Sequence, residues 1–358
     1  MSVSTVVNAS EIGTTRLWGL INRIIIQVIF VFFLIFWLSR RQEFDVLRGV
    51  RLIAWIYLIF GILASIAALQ FVITGRALFG PLLIEPMRWP QLYGWFASPN
   101  YFVDAVAIAA SSSFFLFSSS AHKAVTVSTF CYFIFLFLIL LFTGSRGGIL
   151  SFFIAFSFQI AVSISTCRHD KKAKRSLRKK MNFTFVVVVL FFFMVLVFLQ
   201  AKGISLDSLG RSIWRRGLSD IANEPRIEIW AHALQNYSMR SSFGLLFGAG
   251  NDVYLQEEGR STHNSYLVLL LDYGMITLLL FIVFMSWIAL YIIRMIKLNA
   301  RNPLIGKILA FLISPIVYNF LRAFFQGGIL LGGAIGWIFT ILGVAFLLMI
   351  RKQQTTFK

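Results

Sequence analysis

The sequence predicts an all-α fold: a polytopic transmembrane helical bundle of about nine spans, with one large extramembrane loop containing short helices. Three observations carry this reading. Hydrophobic residues make up 58% of the 358 and charged residues only 13%, against roughly 45–50% and 25% in soluble domains. Mean hydropathy is +0.81. Apolar runs recur along the whole chain, many reaching the roughly 20 residues that a helix needs to cross a bilayer core. A soluble enzyme and a disordered chain are thereby excluded. So is a β-barrel, whose strands would alternate polar and apolar with a period of two.

The spans read as 24–38, 52–73, 101–118, 124–142, 147–166, 182–200, 264–292, 304–325 and 329–350, within a single membrane domain covering 1–358. The serine-rich 101–118 is the marginal one. The gaps 39–51, 119–123, 167–181 and 294–303, with the tail 351–358, hold nineteen Lys/Arg and only Glu43, Asp45 and Asp170 as acids. The alternate set of gaps holds twelve Lys/Arg. The positive-inside rule puts the first set in the cytoplasm, so 167–181 is a basic cytoplasmic loop and 201–263 faces outward. Nine spans place the N-terminus outside, although Arg16 and Arg23 flank the first span. The N-terminal stretch has no small-residue cleavage pattern, so no removed signal peptide is expected.

The net charge of +19 is therefore a matter of topology. The cluster Cys167–Lys180 reads as a determinant lying beside anionic lipid, not as a nucleic-acid site. Cys131 lies inside a span and Cys167 at the cytoplasmic face, so no disulfide is expected. There is no CxxC, P-loop or GxGxxG motif and no internal repeat, and a pump driven by ATP on this chain is excluded. Chemistry, if any, uses the outer face.

Loop 201–263 is the one extramembrane piece large enough to cover a site, and its seven Lys/Arg balance seven acids. Pro225 opens a helix running to about Met239, since proline suits a first helical turn. Ile227, Trp230, Ala231 and Leu234 form its apolar stripe, as in a helix lying at the membrane interface with Trp230 as anchor. Phe243–Asp252 reads as a glycine-punctuated loop. The loop ends at Thr262-His263-Asn264. On a continuous helix, Leu267, Leu270, Gly274 and Thr277 share the face of His263, and Gly274 would let a neighbouring helix pack closely. A histidine at the outer interface suits acid–base work, because its pKa lies near neutrality. A capping Thr-His-Asn above an ordinary packing face is the other reading that the spacing allows.

Thr143–Gly148 is the outward hairpin between the fourth and fifth spans. The helix N-terminus that starts there favours an anion, and Arg146 in its first turn opposes the dipole unless an anion sits there too. A lipid headgroup would serve as well as a substrate phosphate. Arg322, near the outer end of the eighth span, is a functional candidate because a charge within the membrane is expensive. Lys307, at the other end of that helix, is expected to snorkel to the cytoplasmic surface. Asp104 and Asp272 are the intramembrane acids, and either could pair with Arg322. Metal ligation is poorly supported, with four scattered histidines. Asp252, Glu257 and Glu258 are the weak exception. No GxSxG elbow or triad is present.

Arginines, an interfacial histidine and a covering loop, with no encoded energy source, fit transfer from an activated, membrane-resident pyrophosphate donor. Four local patterns then resemble the bacterial O-antigen ligase and O-antigen polymerase superfamily, in its order. They are Gly94–Asn100 (G-x-F-x-x-P-N), Thr143–Gly148 (Ser-Arg-Gly hairpin), Pro225–Trp230 (R-x-x-x-W), and the glycine loop followed by His263–Thr277 (H-N-x9-G-x2-T). The resemblance covers roughly 90–350. It implies a metal-independent membrane glycosyltransferase without cofactor, in the bacterial inner membrane, acting at the periplasmic face, with 201–263 as a periplasmic loop over the active site. The implied donor is a glycan on undecaprenyl pyrophosphate.

By the same resemblance, Arg146 and Arg226 hold the pyrophosphate and His263 activates the acceptor hydroxyl, with Ser145, Gly147, Asn264 and Gly274 in support. Arg322 has no motif match and joins the pyrophosphate set on its burial cost alone. Members of that superfamily often have ten to twelve spans, not nine. A polymerase would use another lipid-linked repeat unit as acceptor, and a ligase the lipid A core. The polymerase is preferred because surface-glycan clusters commonly contain their own. A lipid-linked glycan flippase or polysaccharide transporter is the rival from another class, but it needs a polar path that these spans lack. A non-catalytic assembly partner is the third reading. No nucleic acid is expected as a partner.

Overall fold

The computed structural model describes residues 46–74, 99–120, 122–167, 170–201, 226–250, 262–298 and 303–326. Every regular element among them is an α-helix: α1 Val46–Thr74, α2 Pro99–Ser119, α3 Lys123–Phe142, α4 Arg146–Thr166, α5 Lys171–Ala201, α6 Arg226–Ser238, α7 Ser242–Phe247, α8 Ser265–Leu298 and α9 Pro303–Arg322. Six of these (α1–α4, α8 and α9) contain segments long and apolar enough to cross a membrane. The runs expected at 24–38 and 329–350 lie outside the described residues. The run 182–200 forms the C-terminal part of α5, and the basic stretch before it is itself helical from Lys171.

The described residues divide into two compact units. One takes 46–201 with 295–298 and 303–318; the other takes 226–250, 262–294 and 319–326.

In the first unit the serine-rich α2, marginal by composition, is the central helix and is buried along nearly its whole length. Its small side chains let neighbours approach closely. The helices α1, α3 and α4 all pack on it. At Gly148 an added Cβ would overlap the Val103 side chain, so glycine is what allows the first turn of α4 to press against α2. Ser111, Ser112, Ser113 and Ser118 find partners within the protein, as a dry interior demands. Ser112 donates to the Ile108 carbonyl at 2.9 Å and Ser113 to that of Thr129 at 2.5 Å. The Ser111 and Ser314 hydroxyls meet at 3.3 Å. The intramembrane acid Asp104 accepts from the Tyr318 hydroxyl at 2.6 Å. Apolar packing between α2, α3 and α4 centres on aromatic rings, with Phe114, Phe133 and Phe152 at 4.8, 5.3 and 5.4 Å from Phe156.

Two lysines close the C-terminal end of α2. Lys180 donates to the carbonyls of Phe117 at 2.7 Å and Ser120 at 3.2 Å. Lys307 donates to that of Ser118 at 2.9 Å. Lys307 thus ends on a helix C-terminus, where orphan carbonyls and the macrodipole favour a cation.

In the second unit, α8 is broken at Gly274, whose φ is +81° and ψ +175°. A continuous helix from 263 was expected, so this is a correction. The break frees carbonyls that a membrane protein must satisfy internally, and the glycine loop satisfies them. The Ala249 N–H donates to Leu271 O at 3.2 Å and the Gly250 N–H to Asp272 O at 3.0 Å. Arg240 also donates to Leu271 O. Beyond the break, Met275–Ile293 is nineteen uncharged residues ending at Arg294, about 28 Å of helix and close to the bilayer core thickness. Large apolar side chains on this stretch, among them Leu280, Val283 and Leu290, stay exposed, as a lipid-facing helix requires. Before the break, Leu269, Leu271 and Tyr273 are buried by protein.

Gly274→Ala is expected to destabilise the protein by roughly 2 kcal/mol or more, because a Cβ is disfavoured at positive φ and would overlap the Leu246 carbonyl. Gly244→Ala, where the nearest atom is the flexible Arg240 side chain at 3.3 Å, should change stability by no more than a few tenths of that. Thermal unfolding in detergent compares the two; equal, small effects would show that the break does not need glycine.

Candidate functional site

The helix expected near 225–239 is α6. Its buried face consists of Ala233 and Tyr237, with Ile229 packed beside them against Leu245, Leu267, Leu270 and Leu271. The stripe Ile227, Ala231 and Leu234 is exposed, and Trp230 is half-buried. The periodicity located an apolar face, but the protein-packed face is its neighbour, because Tyr237 fills the space under the helix and donates to Leu245 O. Ser241 then caps α7, accepting from the Gly244 N–H at 3.2 Å. Gly248, at φ +80°, ends that helix and turns the chain toward the Gly274 break.

His263 stands two residues before the start of α8, not on it, and its φ is +49°. Asn264 caps α8: its side-chain oxygen accepts from the N–H groups of Tyr266 at 3.0 Å and Leu267 at 3.2 Å. Asn264 thus satisfies two of the orphan donors at the helix start. The turn is held from both sides. Trp230 Nε1 donates to Thr262 O at 2.8 Å, so this tryptophan anchors the histidine turn. On the other side Ser265 donates from its backbone to Ala323 O at 2.8 Å and from its hydroxyl to Gln326 O at 2.6 Å.

Arg226, the first residue of α6, donates to Phe325 O at 3.4 Å and lies close enough to His263 to act on it electrostatically. The His263 ring reaches solvent. Loss of water around the turn nevertheless pushes its pKa below the ordinary 6.5, and the Arg226 cation lowers it further. Such an imidazole is neutral at neutral pH and can accept a proton. Arg322, at the end of α9, is 1% exposed, and its guanidinium donates to the Gln326 side-chain oxygen.

The second unit therefore brings together His263, Asn264, Arg226, Arg322 and Gly274. Arg146, Ser145 and Gly147 belong to the first unit. There Gly144, at φ +68°, turns the chain. Buried Ser145 is the N-cap position and Arg146 the first residue of α4, half-buried. Gly147 O accepts from the Ser151 hydroxyl at 2.7 Å. Arg240 and Gln326 carry the geometry of the second unit and had no signal in the sequence. Each is a polar residue beside a loop, and only the fold shows which carbonyl or side chain it meets. Asp252, Glu257 and Glu258 lie outside the described residues; among those described, no cluster of three or more His, Cys, Asp or Glu could hold a metal ion.

These features define a multi-pass helical membrane protein with a histidine–arginine arrangement at the end of a broken helix. Residues 131–282 match the O-antigen ligase family model, which supports membership of the O-antigen ligase and polymerase superfamily. The match supports an O-antigen ligase- or polymerase-type activity. The match takes in Arg146, Arg226, His263 and Gly274 and stops short of Arg322. No curated protein matches the chain.

Removing the Arg226 charge should raise the His263 pKa. In a titration of 13C-labelled histidines followed by NMR, the wild-type His263 midpoint is expected below 6.5 and the Arg226→Gln midpoint above that of the wild type. An unmoved or lowered midpoint would show that the two side chains do not interact.

Proposed function

We propose that the chain moves a glycan from undecaprenyl pyrophosphate to an acceptor hydroxyl at the periplasmic face of the inner membrane, as a surface-polysaccharide polymerase. The observation that carries this is a neutral-leaning His263 beside Arg226, inside the region matching the O-antigen ligase family. His263 takes the proton of the acceptor hydroxyl as its oxygen bonds to the anomeric carbon of the donor. The bond from that carbon to the pyrophosphate breaks, and undecaprenyl pyrophosphate leaves. Arg226 neutralises the charge that develops on the leaving group, the Arg fork matching phosphate oxygens, and Arg146 is proposed separately as a phosphate ligand. Asn264 fixes the start of α8, and Gly274 permits the break that the covering loop docks against. Ser145 and Gly147 shape the hairpin carrying Arg146. The reaction asks for no metal, since a guanidinium supplies positive charge at the phosphate.

The same chemistry with lipid A core as acceptor would make the chain a ligase, the activity named by the matched family model. The experiment is complementation of a deletion strain, with extraction of lipid-linked glycans. His263→Ala should lower transfer by about 10²–10⁴-fold, the usual contribution of a general base, while donor binding persists. Accumulated single repeat units mean polymerase; accumulated long chains on undecaprenyl pyrophosphate mean ligase. Full complementation by His263→Ala would discard the base and favour a transporter or a scaffold. Arg146→Ala and Arg226→Ala should each weaken donor binding, with Lys a poor replacement, and EDTA should leave the rate unchanged. Normal donor affinity in both Arg variants would sink the clamp.

A further inference from the structure

A histidine at φ +49° is in the left-handed region, which non-glycine residues visit only when their surroundings hold them there. Those surroundings are visible. On the N-terminal side, the Trp230 indole fixes the Thr262 carbonyl. On the C-terminal side, Ser265 is bonded to the carbonyls of Ala323 and Gln326, and the Gln326 side chain is held by the buried Arg322 guanidinium. Thr262, Asn264 and Ser265 are all buried, whereas His263 between them reaches solvent. The backbone is clamped at both ends and one ring is presented outward.

We propose that Trp230 and the Arg322–Gln326 pair are positioning residues that clasp the Thr262–Ser265 turn and so hold His263 in its left-handed, outward-facing conformation. Arg322 then acts through Gln326 and Ser265 and does not touch the donor. This rests on the reading of His263 as the acceptor-activating group, but the clasp can be tested without it.

Trp230→Phe keeps a ring and removes the indole N–H; Trp230→His restores an N–H donor. In detergent-solubilised protein supplied with lipid-linked donor, Trp230→Phe is expected to lower kcat at least 10-fold with the donor KM unchanged, and Trp230→His to recover part of the loss. The acid limb of the pH profile should also move up, because a loosened turn exposes the imidazole to water. A loss of folded protein would lower the amplitude without moving that limb. The independent arm is stability. His263→Gly should unfold at a higher temperature than His263→Ala in the wild-type background, since only glycine accepts the held φ without strain, and the difference should shrink with Trp230→Phe present. Equal unfolding temperatures for the Gly and Ala variants would overturn the clasp whether or not His263 is catalytic. A wild-type kcat and pH limb in Trp230→Phe would overturn it while leaving the general-base reading intact. Activity in His263→Ala would remove that reading and leave the stability comparison to decide the clasp.

Discussion

The backbone break at Gly274 is the constraint on which the second unit depends. A helix in a membrane protein satisfies its own carbonyls; a helix that stops and restarts does not. The carbonyls of Leu271 and Asp272 are taken up by the N–H groups of Ala249 and Gly250 and by Arg240. That requirement fixes where the loop lies. Gly248 turns at positive φ, and a Cβ there would overlap the backbone of Asp272 and Tyr273, so both the turn and the close approach call for glycine. Arg240 lies 5.9 Å from the centre of the Tyr237 ring, which ties α6 to the same point. Helix α6 then carries Arg226 and Trp230 to the histidine turn. One interruption of a helix thus helps to set the positions of Arg226 and Trp230 beside His263.

The first unit solves the opposite problem. Its central helix is unbroken but rich in hydroxyls, and Ser111, Ser112, Ser113 and Ser118 find partners without water. Bonds to the i−4 carbonyl, such as Ser112 to Ile108, add little stability but remove the cost of burying the group. Bonds between helices, such as Ser113 to Thr129 O, are worth on the order of 0.6 kcal/mol each, so they select register more than they hold the bundle. Close packing against small side chains does the holding, together with the Phe cluster around Phe156.

Much of this was legible in the sequence, and the failures share one cause. Span lengths, the 143–145 hairpin and the Asn264 cap follow from local rules about apolar length, glycine and helix starts. The break at Gly274 does not, because the residues around it, LLLDYGMITLLL, keep good helical periodicity. Only a loop 24 residues earlier (Gly250 to Gly274) makes interruption favourable. The face of α6 that packs on protein was not legible for the same reason: the stripe of Ile227 and Leu234 stays exposed, and which other face meets protein depends on where Tyr237 and Leu271 lie. Arg322 was placed among donor ligands by its burial cost. Burial is also what a structural charge shows once a side chain such as Gln326 is there to accept from it.

In the proposed reaction Arg226 has two electrostatic effects of opposite sign, and their order matters. Without donor, its charge helps hold the His263 pKa down, so the imidazole is neutral but weakly basic. A pyrophosphate paired with Arg226 would offset that positive potential, since an anion near an imidazole favours its charged form. The base would then be strongest when the donor is in place, and weakest in the empty site. A general base is most effective with a pKa near the working pH. Pairing the base with a donor-binding arginine is therefore a way for the site to gain basicity on loading, without any movement of the backbone that the Trp230 and Ser265 contacts hold fixed.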